Sequence, residues 1–378
     1  MAMVNLATAL QRENAFDEST DLLNQAIALA PGDYRAHATL GNAHLGRNRL
    51  HEALRSYENA LRAEPGVPEL RYNIALVHLA LGNLMAGWAG YEARLETEKH
   101  RSKFRFEGAR WHRGMPCAGR RLLVYAEQGM GDTLQFVRFV PALSETGAQV
   151  TLRVQQALVT LLASQWPWLT VVGTSDPVPD HDLVCPLLSL PFELGVEIGS
   201  LPGACPYLSA PPDKLAVWRN VFAQAPGLKV GLVWSGNPNH QYDYNRSMPL
   251  DRMEALASGM PAHFFSLQKE LRGGDAARVE GGNGITDLSR QLADFSDTAA
   301  VVAALDLVIT VDTSVAHLAG ALGRPAWVLL AHAPDWRWML ERADSAWYPS
   351  LRVFRQRSNG DWNSVVEEVR RALPGFAG

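Results

Sequence analysis

The 378-residue chain has only three cysteines, Cys117, Cys185 and Cys205, an odd number without any C-x-x-C spacing. That excludes a disulfide framework and offers no zinc motif, so a reducing compartment is the simplest setting. No run approaches the roughly 18 apolar residues of a membrane span. The N-terminus also lacks the basic start, apolar core and small-residue cleavage site of a secretory signal. Nor does one sign of charge dominate: 35 Lys and Arg stand against 39 Asp and Glu, a formal net charge of −4. Neither nucleic acid nor an anionic membrane is expected as a partner, and any basic site must be local. The expectation is a cytoplasmic protein, in which the Asn245-Arg246-Ser247 sequon is not a glycan acceptor.

What is present is an ordinary globular composition, 47% hydrophobic and 20% charged, at a length that suggests two or three folded units. An internal repeat organises residues 1–100. Pro31 and Pro65 stand 34 positions apart. Leu40, Gly41, His44, Ala53, Tyr57 and Ala60 take tetratricopeptide spacing, and Leu6, Ala7, Leu10, Ser19, Leu23 and Ala26 match them in the preceding copy. Gly41 and Ala53 would let two helices approach while Tyr57 and Leu40 fill the gap between them. A third copy from about Pro68 keeps Ile74, Ala75 and Tyr91 but places Gly87 and Arg94 at small-residue positions, the divergence of a terminal repeat. The opening copy begins mid-pattern and leaves an apolar end to be covered.

A linker over residues 101–120 precedes a different pattern, short β-branched and Leu runs alternating with helices. Strands are expected at Leu122–Ala126, Gln149–Val154, Leu169–Val172 and Asp182–Cys185, then, past a proline-rich break at Leu201–Pro212, at Lys229–Trp234, His263–Leu267, Asp306–Val311 and Ala326–Leu330. The fold class is therefore α-helical repeats followed by α/β. Residues 101–212 and 213–378 form two Rossmann-like, doubly wound domains facing a cleft.

Chemistry concentrates where strands end. At Val308–Pro325 an apolar strand stops at Asp312-Thr313-Ser314 and an Ala/Leu-rich helix carrying His317 begins. Unpaired N–H groups at such a start can hold a phosphate, although Asp312 and Thr313 are equally good helix caps. Gln128-Gly129-Met130-Gly131-Asp132 likewise joins a strand to a helix, with glycines that allow close backbone approach and an aspartate that is either cap or base. Ser235-Gly236-Asn237-Pro238-Asn239-His240 is a loop after another strand, and His240 could assist proton transfer or be simply polar. Arg246, Gln268 and Lys269 lie at the same sheet edge. Asp180-His181-Asp182 has the form of a metal-binding D-x-D, but it runs straight into a strand and no metal is expected. Trp336 and Trp338 offer a stacking face for base or sugar, or pack in a core.

The Asp312-Thr313…His317 helix start and the Gly129–Asp132 loop resemble the family 9 glycosyltransferases, typified by ADP-heptose:lipopolysaccharide heptosyltransferases, over roughly residues 104–375. Phe265–Lys269 resembles the strand-end lysine motif of O-linked N-acetylglucosamine transferases. These resemblances imply a GT-B fold, with the final helix, Trp362–Leu373, packed back on the first α/β domain. They imply an inverting, metal-independent transfer from a nucleotide-sugar to a hydroxyl, with no cofactor. Asp132 would be the general base, with His240 as a second candidate. Gln128, Gly129, Gly131, Ser235, Asn237, Arg246, Gln268, Lys269, Asp312, Thr313, Ser314 and His317 would hold the donor. The attached repeats suggest a protein or peptide acceptor. A saccharide acceptor, or a non-catalytic scaffold with a degenerate GT-B half, is the alternative.

Overall fold

Three antiparallel helix pairs occupy the first hundred residues: α1 (Ala2–Arg12) with α2 (Phe16–Leu29), α3 (Tyr34–Gly46) with α4 (Leu50–Ala63), and α5 (Pro68–Ala80) with α6 (Leu84–Tyr91). In this computed structural model, which describes residues 1–197, 199, 205–240, 243–281 and 284–376, each pair turns on a left-handed residue. These are Asn14, Asn48 and Gly82, at φ 61°, 56° and 81°, and they recur at the spacing of the repeat. Gly41 is required by packing: a Cβ there would lie 2.5 Å from the Tyr57 ring, which is buried and donates from its hydroxyl to Asn42 Oδ1 at 2.7 Å. In the third pair Gly87 performs the same service for Leu79. Arg94 then ends the array. It is buried, its Nη1 donates to Glu92 Oε1 at 2.7 Å, and its guanidinium lies 4.8 Å over the Tyr91 ring.

The expected boundary of the repeat domain at residue 100 needs extension. The first compact unit is discontinuous: it adds a short stretch from Gly195 and the segment His332–Glu341 to Met1–Arg105. Trp336 packs edge-on against Trp88 at 5.5 Å between ring centroids and against Tyr91 at 6.4 Å. Asn48 donates to the carbonyl of His332, and Trp88 Nε1 donates to Val196 O at 3.0 Å. The other two expected domains form a single second unit, from Phe106 onward.

That unit contains two sheets, parallel throughout. The first runs β1 (Ala109–Arg110), β2 (Arg121–Tyr125), β3 (Gln149–Val154), β4 (Thr170–Gly173) and β5 (Leu183–Pro186), in spatial order β1-β5-β2-β3-β4. The second has β6 (Leu228–Val233), β7 (Ala262–Ser266), β8 (Ile285–Asp287), β9 (Leu307–Val311), β10 (Ala326–Leu330) and β11 (Leu351–Arg355), ordered β11-β10-β9-β6-β7-β8. Helices cover the sheets, so central strands such as Leu307–Val311 are buried at every position. All eight expected strands form within a residue of their expected ends. The three missed ones, β1, β8 and β11, are edge strands, where burial on both faces is not demanded and no apolar run is written.

Two helical expectations change. The stretch after the glycine loop, whose pattern over Thr133–Thr146 predicts one helix, is divided: an α-helix at Met130–Phe136 passes into 3-10 turns over Val137–Thr146, because Pro141 inside it has no N–H to continue the ladder. The final helix, Trp362–Ala372, does not return to the first sheet. Its apolar face of Trp362, Val365, Val366 and Val369 joins the core of the second sheet with Met253 and Leu256. Arg370 Nη1 meanwhile donates to the carbonyls of Leu256 and Ser258, at 3.0 and 2.7 Å, at the end of the Leu250–Ala257 helix. A short connection from β11 keeps the helix on its own sheet. Of the expected break at Leu201–Pro212, residues 201–204 lie outside the described residues.

Candidate active site

Strand order locates the site independently of any motif. In the first sheet the chain runs from β2 outward through β3 and β4, then crosses to β5 on the other side of β2. In the second it runs from β6 through β7 to β8, then crosses to β9 beside β6. Ligands of open α/β sheets bind beyond the carboxyl ends of the strands at such reversals. The loops there are the one after β2, carrying Gln128–Asp132, the one after β6, carrying Ser235–Arg246, and the one after β9, carrying Asp312–Ser314.

The loop after β2 is held rigidly. Gln155 Nε2 donates to Gln128 O at 2.7 Å and its Oε1 accepts from Thr133 Oγ1 at 2.9 Å. Asp132 Oδ2 accepts from Gly129 N–H at 2.8 Å, so this carboxylate caps the Met130–Phe136 helix whatever else it does. Gly131 lies against the other helix start: a Cβ on it would be 2.9 Å from His317 Cδ2 and 3.4 Å from Ser314 Cα. The two strand-to-helix junctions singled out in the sequence are thus in contact, and the glycine is what lets them touch.

At the second junction the capping reading of Thr313 fails. Thr310 Oγ1 donates its one proton to Val311 O at 2.8 Å, so the 2.8 Å contact between the two threonine hydroxyls has Thr313 donating to Thr310. Thr313, the N-cap residue of the Ser314–Ala321 helix, makes no side-chain cap bond; Ala316 N–H bonds to the Thr313 carbonyl at 3.1 Å, and the N–H groups of Ser314 and Val315 open the helix at the positive end of its dipole. His317, buried, is pinned through Nδ1 to the Tyr348 hydroxyl at 3.0 Å. Burial pushes the Tyr348 phenol far up, so it stays neutral. Gly320 admits the same ring, its virtual Cβ 2.4 Å from Tyr348. Beneath lies Arg138, buried, donating to Trp347 O at 3.0 Å with the Tyr207 ring 4.8 Å from its guanidinium, and Tyr207 donates to Leu134 O at 2.8 Å. Arg138, Tyr207 and Tyr348 thus tie the two junctions together from behind. Sequence reasoning missed them and Gln155, since nothing local distinguishes such residues from core.

After β6, Gln268 holds the loop. Its Oε1 accepts from the N–H groups of Trp234 and Ser235 at 3.2 and 3.0 Å, and its Nε2 donates to Ser235 O and Glu270 O at 3.1 Å each. Four bonds saturate a carboxamide, so Gln268 positions Ser235 and has no capacity left for a donor. Asn237 Oδ1 accepts from Asn239 N at 2.9 Å and its carbonyl accepts from His240 N at 3.0 Å, a polar turn with His240 exposed. Arg246 sits on a one-turn helix, Asp243–Arg246, not in an open loop. Lys269 lies three residues beyond the end of β7, a strand two positions or about 10 Å from β9, and its ammonium donates to Ser289 O at 3.1 Å. The structure therefore does not bring Lys269 onto the Ser314 helix start.

The D-x-D tripeptide is structural. Asp182 grips Arg121 through two side-chain bonds at 2.8 and 3.2 Å and accepts from its backbone N–H at 2.9 Å, which holds its carboxyl well below the usual range. Both His181 ring nitrogens face carbonyls, of Pro179 and Glu107. Trp336 and Trp338 are buried within the first unit and offer no stacking face. Among the described residues no cluster of three or more His, Cys, Asp or Glu is suited to a metal ion, and no helix is long and apolar enough to cross a membrane.

Residues 286–359 match the family model of glycosyltransferase family 9 (heptosyltransferase), a span that contains the Asp312–His317 junction but not the loop after β2. Over 94% of its length the chain is 28% identical to Protein FlbA of Caulobacter vibrioides, and it spans 63% of that protein. Its fold is similar to that of the glycosyl transferase family 9 protein from Veillonella parvula, with a TM-score of 0.50 at 13% identity over 70% of this chain and 98% of that one. ADP-heptose lps heptosyltransferase II of E. coli superposes with a TM-score of 0.47 at 14% identity, over 68% of this chain and 98% of that one. At 13% identity the likeness to the Veillonella parvula protein is one of fold alone; in this chain helical repeats precede two parallel sheets.

Proposed function

We propose that the protein is an inverting glycosyltransferase that moves a sugar from a nucleoside diphosphate donor to an acceptor hydroxyl without a metal ion. The observation that carries this reading is the Ser314 helix start, where Thr313 makes no cap bond because it turns its hydroxyl to Thr310. The positive end of its dipole and its opening N–H groups suit a diphosphate whose negative charge grows as the sugar departs. Asp132, fixed by Gly129 N–H, takes the acceptor proton as that oxygen attacks the anomeric carbon. The bond to the diphosphate breaks on the opposite face, which inverts the configuration. The family 9 match over residues 286–359 supports the same reaction class. The repeats favour a protein acceptor, because a repeat surface can bind an extended peptide.

A thermal-shift screen of nucleoside diphosphates tests the donor site. A ligand at a hundred times its Kd should stabilise the protein by about 2.7 kcal/mol. If none of the common nucleoside diphosphates raises the melting temperature, and no nucleotide-sugar is hydrolysed, the reading is wrong.

A further inference from the structure

Each helix pair of the repeat packs on the pair before it through the same stripe of its first helix. In the second pair Ala36, Leu40 and Ala43 of α3 are buried, Ala36 and Leu40 in one cluster with Val4, Ala7 and Leu23 of the first pair. In the third pair the residues 34 positions on are Leu70, Ile74 and Val77 of α5. Leu70 is buried, and Ile74 and Val77 meet Leu50, Ala53 and Tyr57 of the second pair. The matching stripe of α1 is Ala2, Leu6 and Ala9, with Asn5 beside Leu6, at the spacing of a single helix face. All four are exposed, and Leu6 keeps 55% of its surface where its equivalent Leu40 keeps 9%.

The chemistry of the stripe says what covers it. A terminal repeat that faces water carries a polar outer face, whereas α1 has no charged side chain before Arg12. The far end of the array is closed by contrast: Arg94 is buried there, and Trp336 sits against Trp88 and Tyr91. A head-to-tail stack of copies therefore finds no receiving surface. The stripe is, however, its own complement. Two α1 helices running antiparallel about a two-fold axis midway between Asn5 and Leu6 bring Ala2 against Ala9 of the partner subunit. The alanines let the backbones approach, the two Leu6 side chains fill the centre, and the antiparallel helix dipoles attract.

We propose that the α1 stripe is a self-association surface, on which a second copy of this chain packs its own α1 to form an isologous dimer through the repeats. The contact continues the stacking that buries Leu40 and Val77, and it is independent of the donor reading. One helix face is smaller than the roughly 800 Å² per partner of a standard interface, so the dimer belongs to the weak class and forms at micromolar concentrations and above.

Sedimentation velocity of the full chain, from low micromolar to several hundred micromolar, tests it and should show a monomer–dimer equilibrium. Leu6→Glu sets two carboxylates beside the axis and should raise the dissociation constant about a hundredfold or more, with an unchanged circular dichroism spectrum. Gln25→Glu adds the same charge on the exposed side of α2 and should leave the equilibrium as it was. Leu6→Cys keeps a small apolar side chain at the centre and should give a disulfide-linked dimer on mild oxidation, which reads the contact directly even if the Glu variant loosens the first pair. A parent that stays monomeric throughout the series overturns the proposal. A dimer that survives Leu6→Glu, or that Leu6→Cys does not crosslink, overturns it too, and a ladder of open-ended oligomers would show head-to-tail stacking instead.

Discussion

Asp132 is asked to do two things with one carboxylate, and substitution separates them. Asp132→Asn retains an oxygen able to accept from Gly129 N–H, so stability should hardly change, whereas loss of the proton acceptor should slow transfer about 10²- to 10⁴-fold with donor binding retained. Full activity in the Asn variant, with Asp132→Ala costing only about 1 kcal/mol of stability, would make it a cap alone. Gly131 gives a second residue-scale test. Any β-carbon there meets His317 and Ser314, so Gly131→Val should push the two helix starts apart and weaken nucleoside diphosphate binding more than it lowers the melting temperature. Loss of stability with unchanged affinity would place the contact outside the site. The sequence revealed these positions as strand-to-helix junctions; that they touch one another was not written in either segment.

At the scale of elements, the repeat pairs and the central strands were legible because each carries its own period. Gly41 illustrates how local that information is. Replacing it by Val drives side-chain atoms into the Tyr57 ring, and an overpacking loss of about 1 to 3 kcal/mol is expected in chemical unfolding followed by circular dichroism. A neutral result would mean that α3 and α4 can separate freely. The first sheet has an equally local fastening at the start of β2, where Asp182 accepts from both the side chain and the backbone of Arg121. Because its folded pKa lies below the usual 3.8, its contribution is present above that value and is lost as pH falls through the folded value. The melting-temperature gap between the parent and Asp182→Asn should therefore be constant from neutral pH down to about pH 5 and close in stronger acid. A gap that persists undiminished at the acid end would show that charge is not its source. The edge strands β1, β8 and β11 escaped the sequence because an edge needs no continuous apolar run.

For the whole molecule, the discontinuity of the first unit decides what a truncation can mean. Trp336 and Trp338 lie in the loop after β10 yet are buried with the repeats, Trp336 against Trp88 and Tyr91. Deleting residues 1–100 would strip that core from His332–Glu341, so the remainder should be recovered as an aggregating, poorly folded chain and not as a competent half-enzyme. Trp336→Ala in the full chain should cost about 3 to 5 kcal/mol, the usual loss for a large buried aromatic, seen as an early loss of the repeat helices on heating. A soluble, cooperatively melting fragment 101–378 would contradict this.

By itself the sequence determined what short-range periodicity can encode: a 34-residue repeat marked by Pro31 and Pro65, eight strands, and the glycine-aspartate and threonine-serine junctions. Tertiary structure alone decided the strand orders that make those junctions neighbours, the transfer of His332–Glu341 to the repeats, the saturation of Gln268, and the pairing of Arg246 with Arg272 on Asp243. The division has a physical cause. Hydrophobic period, glycine and capping chemistry act within a few residues, whereas strand order, side-chain saturation and charge pairing depend on which distant segments the packed core brings together.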